Sequence, residues 1–354
     1  MAASESTRGP LAVVAVVFQW LLMLGTLVAI GIIVWLGRGD FARLLSLDLT
    51  ILGLMSASAL ATFLVNGVEL QVLVAKFGTR IRFAETMRLG LMVSTLNYLP
   101  MKTGTMLLGV VMKARHKVQL TDFAALITGS SVVHLWVACT LAGVFRMLDG
   151  RIDALSWGLV GVPSAVLLGL VAWGWIRRDG GDRSHLPRLV RGGLRAIDGL
   201  GLIFTDPVLL TKEMLINASL VVLASLRTMW ALQALSTPVG WDKAVVITAV
   251  AIFAARLSII PGGLGFREGG AAAGALAVGL TSTLGLGSAM IDRAVNLVWL
   301  LVLGVPATLY VQRATGLHVR MSLVGGAVSG EGADEAAAGA AELAEEIVGP
   351  GEAR

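Results

Sequence analysis

Residues 261–268 read Pro261-Gly262-Gly263-Leu264-Gly265-Phe266-Arg267-Glu268, a proline, three glycines and an adjacent arginine and glutamate set between two long apolar runs. Such a stretch interrupts a helix, and unpaired backbone at membrane depth is costly, so it belongs inside protein or beside a wet cavity. A helix restarting after Gly265 turns unpaired N–H groups and a partial positive charge toward that space, which suits an anion. Arg267 adds a planar fork of donors matched to phosphate geometry. Arg256 in the preceding arm, Arg227 within the run beginning at Val208, and Arg293 at the start of the last run are further cations in apolar sequence. Each costs roughly 2.5–3.5 kcal/mol on insertion scales, so each either lines a hydrated path or pairs with a carboxylate such as Glu268 or Asp292. Glu268 has three readings: a first-turn carboxylate stabilising the restarted helix, an arginine partner, or a protonatable group or receptor for a cationic head group.

A second interruption stands upstream, at Asn97-Tyr98-Leu99-Pro100-Met101-Lys102-Thr103-Gly104-Thr105. Pro100 removes a backbone donor and Gly104 loosens the chain. Asn97, Lys102, Thr103 and Thr105 are polar groups able either to contact a ligand or to satisfy the freed backbone.

Elements of a particular kind must carry these two breaks. The chain has 56% hydrophobic and 14% charged residues and a mean hydropathy of +0.82. Soluble domains have roughly 45–50% and about 25%. Apolar runs begin at Leu11, Leu49, Leu89, Phe123, Leu155, Val208, Ala244, Ala271 and Ile291. Most approach the ~20 residues that cross a bilayer as a helix, so the expected fold is all-α, a polytopic transmembrane bundle. The run over residues 11–36 exceeds a signal-peptide core and is read as a retained helix. Seven acidic residues after Arg320 (Glu331, Asp334, Glu335, Glu342, Glu345, Glu346 and Glu352) oppose Arg354 alone, so the tail carries a net −6 and the rest +11. Residues 1–320 therefore form the membrane domain, and residues 321–354 an acidic Ala/Gly-rich tail too poor in large apolar groups to fold alone.

The basic charges flank apolar runs rather than forming a stripe with interleaved aromatics, which argues for membrane orientation and against nucleic acid. Cys139 is the only cysteine, the four histidines lack ligand spacing, and no Walker-type phosphate loop is present, so no disulfide, metal, nucleotide or other cofactor is expected.

Charge also sets the topology. Lys76, Arg80, Arg82 and Arg88 precede the run broken at Pro100, and Lys113, Arg115 and Lys117 follow it, so both ends of that run face the cytoplasm and the segment is a re-entrant hairpin. Residues 244–286, broken at the glycine motif, read as a second hairpin from the opposite face, with arms also long enough to cross fully. Crossing, hairpin, crossing with opposite polarity in each half is inverted-repeat organisation. Both termini are then cytoplasmic, in an inner membrane of bacterial type. Residues 177–207 are basic and read either as a surface amphipathic helix or as a solvated linker. Gly265 and Gly269 form a small-xxx-small pair suited to helix packing.

The pattern Pro261-Gly262-Gly263-x-Gly265-x-x-Glu268 resembles the signature of the flippase-like integral membrane family that includes the transmembrane region of lysylphosphatidylglycerol synthases. Asn97-x-x-Pro100 with Gly104 resembles its upstream Asn/Pro/Gly segment, and Ile291-Asp292-Arg293 opening the last crossing fits the same pattern. Thr105 stands where family members often carry an acidic residue. The resemblance implies movement of lipid-linked or aminoacylated lipids between leaflets, with the cytosolic aminoacyl-transferase domain missing and the membrane half standing alone.

The two motifs and the resemblance together point to a translocase for an anionic phospholipid or polyprenyl-linked lipid. Asn97, Pro100, Lys102, Gly104, Arg227, Arg256, Pro261, Gly262, Gly263, Gly265, Arg267, Glu268 and Arg293 are its expected binding residues. The alternatives are an integral-membrane enzyme or accessory subunit of lipid or glycolipid biosynthesis, and a scaffold for a separate membrane transferase. The paired carboxylates or metal cluster that an enzyme would favour are absent from the motifs.

Overall fold

The computed structural model describes residues 48–98, 103–176, 203–257, 263 and 265–315, and among these every regular element is helical. The run over residues 11–36, the segment 177–202, the acidic tail, Pro100, Lys102, Pro261 and Gly262 lie outside the described residues.

The order of helices repeats. The first unit has a long helix, α1 (Leu49–Ala75), two short ones, α2 (Phe83–Leu96) and α3 (Thr103–His116), and a long one, α4 (Leu120–Leu148). α5 (Ala154–Ile176) follows. The second unit is α6 (Pro207–Ala234), the short α7 (Trp241–Leu257) and α8 (Phe266–Ala277), then α9 (Ser282–Trp299), which runs through a π-helical turn at Leu300–Gly304 into α10 (Val305–Thr315). α1 and α6 have 27 and 28 residues, about 40 Å at 1.5 Å per residue, enough for a hydrocarbon core of ~30 Å. α2, α3, α7 and α8 have 14, 14, 17 and 12 residues, and each alone falls short of that span. Among the described residues five helical stretches are long and apolar enough to cross a membrane: Leu49–Ala75, Leu120–Leu148, Ala154–Ala172, Pro207–Ala234 and Ser282–Ala314. The chain is a multi-pass membrane protein.

Local chemistry sets the ends of these helices. Asp48 caps α1 by accepting from the Thr50 amide at 2.8 Å, and Asp206 caps α6 by accepting from the Val208 and Leu209 amides, with Pro207 pre-set for the first helical position. Gly78 and Gly279, at φ +73° and +78°, turn the chain just after α1 and α8.

α1 and α6 lie antiparallel. Ile51 and Met55 pack with Ala231 and Leu235, the Ser58 hydroxyl donates to the Leu223 carbonyl, and Lys76 pairs with Asp206 at 2.7 Å. Each hairpin's first arm lies antiparallel to the closing helix of the other unit. Trp241 and Arg256 of α7 meet Phe145 and Ser131 of α4, while Arg88 and Thr95 of α2 meet Tyr310 and Gly304. The base of the first hairpin adjoins the start of α4, where Glu85 and Arg115 pair at 3.3 Å. The base of the second adjoins the end of α4, at Phe145. The main apolar core fills the space between α4, α6, α7 and α8, with Val133, Val137, Val221, Ile247, Ala271 and Ala275 closely packed.

Two sequence expectations are corrected. The second hairpin ends at Ala277, not near residue 286, and the last crossing starts at Ser282, so Ile291-Asp292-Arg293 lies well inside α9 instead of opening it. Ser282-Thr283-Leu284-Gly285-Leu286-Gly287 opens that helix. A Cβ on Gly285 would stand 2.3 Å from the Ala271 carbonyl oxygen, so α8 and α9 approach to backbone contact there.

Candidate functional site

Five charged side chains from α6, α8 and α9 meet inside the bundle. Asp292 and Arg293 are consecutive on α9 and so project about 100° apart. Asp292 turns toward α6, where its Oδ1 accepts from Arg227 Nε at 2.6 Å, and its Oδ2 accepts from the Arg267 guanidinium of α8. Asn296, one turn on, donates Nδ2 to Asp292 Oδ1 at 3.1 Å and to its carbonyl at 2.7 Å. Arg227 reaches α1 as well, donating to Thr62 Oγ1 at 2.6 Å and to the Ser58 carbonyl at 3.3 Å.

Arg293 pairs with Glu268 Oε1 at 2.9 Å and lies 5.9 Å from the ring centroid of Tyr98, beside the first break. The two interruptions therefore converge on one charged cluster. Three guanidiniums face two carboxylates, leaving one positive charge in excess. Exposure separates the three: the Arg227 side chain is 4% exposed and Arg293 10%, but Arg267 is 30% exposed. Arg267 is the most exposed of the three guanidiniums.

The glycine motif builds the turn into α8. Gly265 has φ +78° and Gly263 φ +64°, a left-handed region that suits glycine alone without strain. Glu268 Oε2 accepts from the Gly265 amide at 2.8 Å, closing the first turn from within. With its other oxygen on Arg293, Glu268 performs two of its three expected roles at once.

A cavity of about 30 Å³ adjoins this cluster, lined on its polar side by Thr228, Thr248, Arg267, Ser288 and Asp292. That holds a water or two and excludes a head group.

The other expected residues fall differently. Asn97 folds back across the first break, with Oδ1 accepting from the Thr105 amide at 3.1 Å and Nδ2 donating to Thr105 Oγ1 at 3.2 Å, and so serves to restart α3. Gly104 lets the hairpin arms touch, since a Cβ there would stand 2.3 Å from the Val93 carbonyl oxygen. The packing glycines of α8 are Gly270 and Gly274, not the expected Gly265/Gly269 pair. Gly270 and Gly274 lie against α7, at 2.6 Å from Ala254 Cβ and 2.8 Å from Ile247 Cα for an added Cβ, while Gly269 faces open space.

Arg256 does not join Arg267. It donates to Ser131 Oγ at 2.8 Å, in a second polar cluster that sequence reasoning missed. There Ser130 donates to Glu69 Oε1 at 2.6 Å, His134 Nδ1 meets Asn217 Oδ1 at 2.6 Å, and Asn217 Nδ2 donates to the Glu213 carbonyl at 2.8 Å and to Oε2 at 3.4 Å. Lone carboxylates at Glu69 and Glu213 in apolar runs were the available signal.

The two clusters occupy matching places. Glu69 stands twenty residues after Leu49, as Arg227 does after Pro207. Ser130 stands ten after Leu120, as Asp292 does after Ser282. Glu69–Ser130 and Arg227–Asp292 are thus the same contact in the two units.

Among the described residues no three His, Cys, Asp or Glu side chains are close enough to hold a metal ion. Neither a curated protein nor a solved structure matches the chain. The family described as Lysylphosphatidylglycerol synthase TM region matches residues 22–304, well over half of the sequence and including both breaks and both clusters. The chain therefore belongs to the lysylphosphatidylglycerol synthase transmembrane-region family.

Proposed function

We propose that this protein moves a lipid with an anionic head group, a phospholipid or a polyprenyl-linked lipid, between the leaflets of an inner membrane. The observation that carries the reading is the excess of one guanidinium where two interrupted helical hairpins meet, with Arg267 as the exposed member. A net positive charge held inside a bundle is unfavourable unless an anion visits it.

The repeated helix order, the antiparallel α1 and α6, and hairpin bases at opposite ends of α4 support re-entrant segments entering from opposite faces, the organisation of transporters whose sites form at a repeat interface. On this reading Arg267 and the turn at Gly263 and Gly265 receive the head group, Arg227 and Arg293 hold the two carboxylates in place, and the bundle opens to admit the lipid. Pro100, Lys102, Pro261 and Gly262, read from the sequence alone, belong to the same proposed binding set. The basic segments at Lys76–Arg88 and Lys113–Lys117 face the cytoplasm, as do both termini. A membrane transferase that charges or releases the head group is a fitting partner.

The test is translocation of acyl-labelled phosphatidylglycerol in vesicles reconstituted with the full chain, read by quenching of the outer-leaflet label. The protein should raise the quenched fraction of phosphatidylglycerol well above that of phosphatidylcholine, and Arg267→Gln should return it to the protein-free level. Equal movement of both lipids, or full activity in Arg267→Gln, refutes the proposal.

A further inference from the structure

Glu69, Glu213, Ser130, His134, Asn217 and Arg256 gather from α1, α4, α6 and α7 in a part of the bundle separate from the Asp292 cluster. Glu213 and Asn217 have no solvent exposure, Ser130 and His134 very little. Intramembrane ionisable groups are expensive to keep, and such sites usually carry ions, protons or substrate. Among the described residues two carboxylates, Glu69 and Glu213, lie close enough to repel each other, and the one guanidinium of the cluster, Arg256, acts on Glu69. Among the described residues Glu213 Oε1 is buried with no hydrogen-bond partner. The nearest donors are engaged with other atoms: the Ser130 hydroxyl, which also adjoins Glu213, donates to Glu69, Asn217 Nδ2 to the other oxygen of Glu213, and Arg256 to Ser131. Asn217 Oδ1 only accepts, so His134 Nδ1 is the donor in that contact and is used there.

A proton on Glu213 Oε1 answers both deficits. It forms an O–H where a donor is lacking, and it removes the one negative charge in excess. We propose that Glu69 and Glu213 are a proton-binding pair that holds one proton between them, and that its uptake and release drive opening of the bundle. Binding of the proton stands on this geometry alone, while its coupling to lipid movement rests on the function proposed above. The groups facing the pair are Arg256 from α7 and His134 from α4. Arg227, on α6 itself, is tied to Asp292 on α9.

Infrared difference spectroscopy of the purified full chain in nanodiscs at neutral pH tests the site without any transport. The wild type should show the C=O stretch of one buried protonated carboxylic acid. Glu213→Gln should abolish that band, Glu69→Gln should shift it because the neighbour changes, and Glu85→Gln, at the exposed hairpin base, should leave it intact. Equal bands in wild type and Glu213→Gln overturn the proposal, as does loss of the wild-type band when potassium is exchanged for sodium, which makes the site a sodium site. If Glu213→Gln fails to fold, the shift in Glu69→Gln decides in the same way, an unshifted band overturning the pairing. In the vesicle assay an imposed pH gradient should change the wild-type rate several-fold and leave the Glu213→Gln rate unchanged. Loss of the band in Glu213→Gln, in vesicles where no lipid moves at all, upholds the proton site and removes the translocase reading.

Discussion

Asp292→Asn is the sharpest probe of the arginine cluster. The carboxylate is 6% exposed and receives Arg227 on one oxygen and Arg267 on the other. An asparagine keeps the shape but offers one acceptor, and its amide group sets donors against the second guanidinium. Arg267, 30% exposed, can turn toward water, whereas Arg227, 4% exposed, cannot. The remaining oxygen therefore goes to Arg227, which also keeps Thr62 and Ser58. Breaking a buried pair by removing one partner costs about 3–5 kcal/mol, and these compensations place the substitution near the lower end, ~3 kcal/mol. At about 2 °C per kcal/mol for a chain of this size, the melting temperature in a single detergent, followed by tryptophan fluorescence, should fall by roughly 6 °C. Arg267→Gln should cost no more than about 1 kcal/mol, because its side chain is partly solvated and Asp292 keeps Arg227. Arg227→Met combined with Asp292→Leu should recover much of the lost stability, since an apolar pair of similar volume often replaces a buried ion pair without loss. A fall of less than about 2 °C for Asp292→Asn, or an equal fall for Arg267→Gln, refutes the assignment of Asp292 as the carboxylate that holds the cluster together.

Neighbouring glycines of α8 should respond with opposite signs. Gly269→Ala meets open space and should stabilise by up to about 1 kcal/mol through helix propensity, while Gly270→Ala drives a methyl to 2.6 Å from Ala254 Cβ and 2.8 Å from the Val250 carbonyl and should cost about 1–3 kcal/mol, both measurable by thermal unfolding. Asp153, in the turn between α4 and α5, is held down at about 2, from 3.8, by the Ser156 hydroxyl and amide and by Arg146 at 2.6 Å. A depressed carboxylate stabilises fully above its unfolded value and ceases to as pH falls through its folded value, so the melting-temperature gap between wild type and Asp153→Asn should be present at neutral pH and close between about pH 4 and pH 2.

Much of the architecture was legible because breaking residues are conspicuous in apolar sequence. Gly104 falls in the first turn of α3 and Gly263 and Gly265 in the gap before α8, and the runs at Leu49, Phe123, Leu155 and Val208 lie within or beside crossing helices. The arginines at 227, 267 and 293 stood out for the same reason, as cations in lipid-like sequence. Which carboxylate each would take was not legible, because that depends on the rotation of α9 against α6 and α8. Small residues misled once: α8 packs on the face of Gly270 and Gly274, which differs from that of Gly265 and Gly269 by a single position. Glu69 and Glu213 were hidden by distance, since a lone carboxylate in an apolar run acquires meaning only when a second helix brings its partner.

The equivalence of Glu69 with Arg227 bears on how such a protein can work at all. A dimer of two identical subunits, inserted in opposite directions, would carry the same residue at both places, so the two contacts would be both acidic or both basic. Joining the halves in one polypeptide lets one copy be an arginine on an aspartate and the other a glutamate on a serine without disturbing the shared scaffold. Covalent fusion is what permits the division of labour.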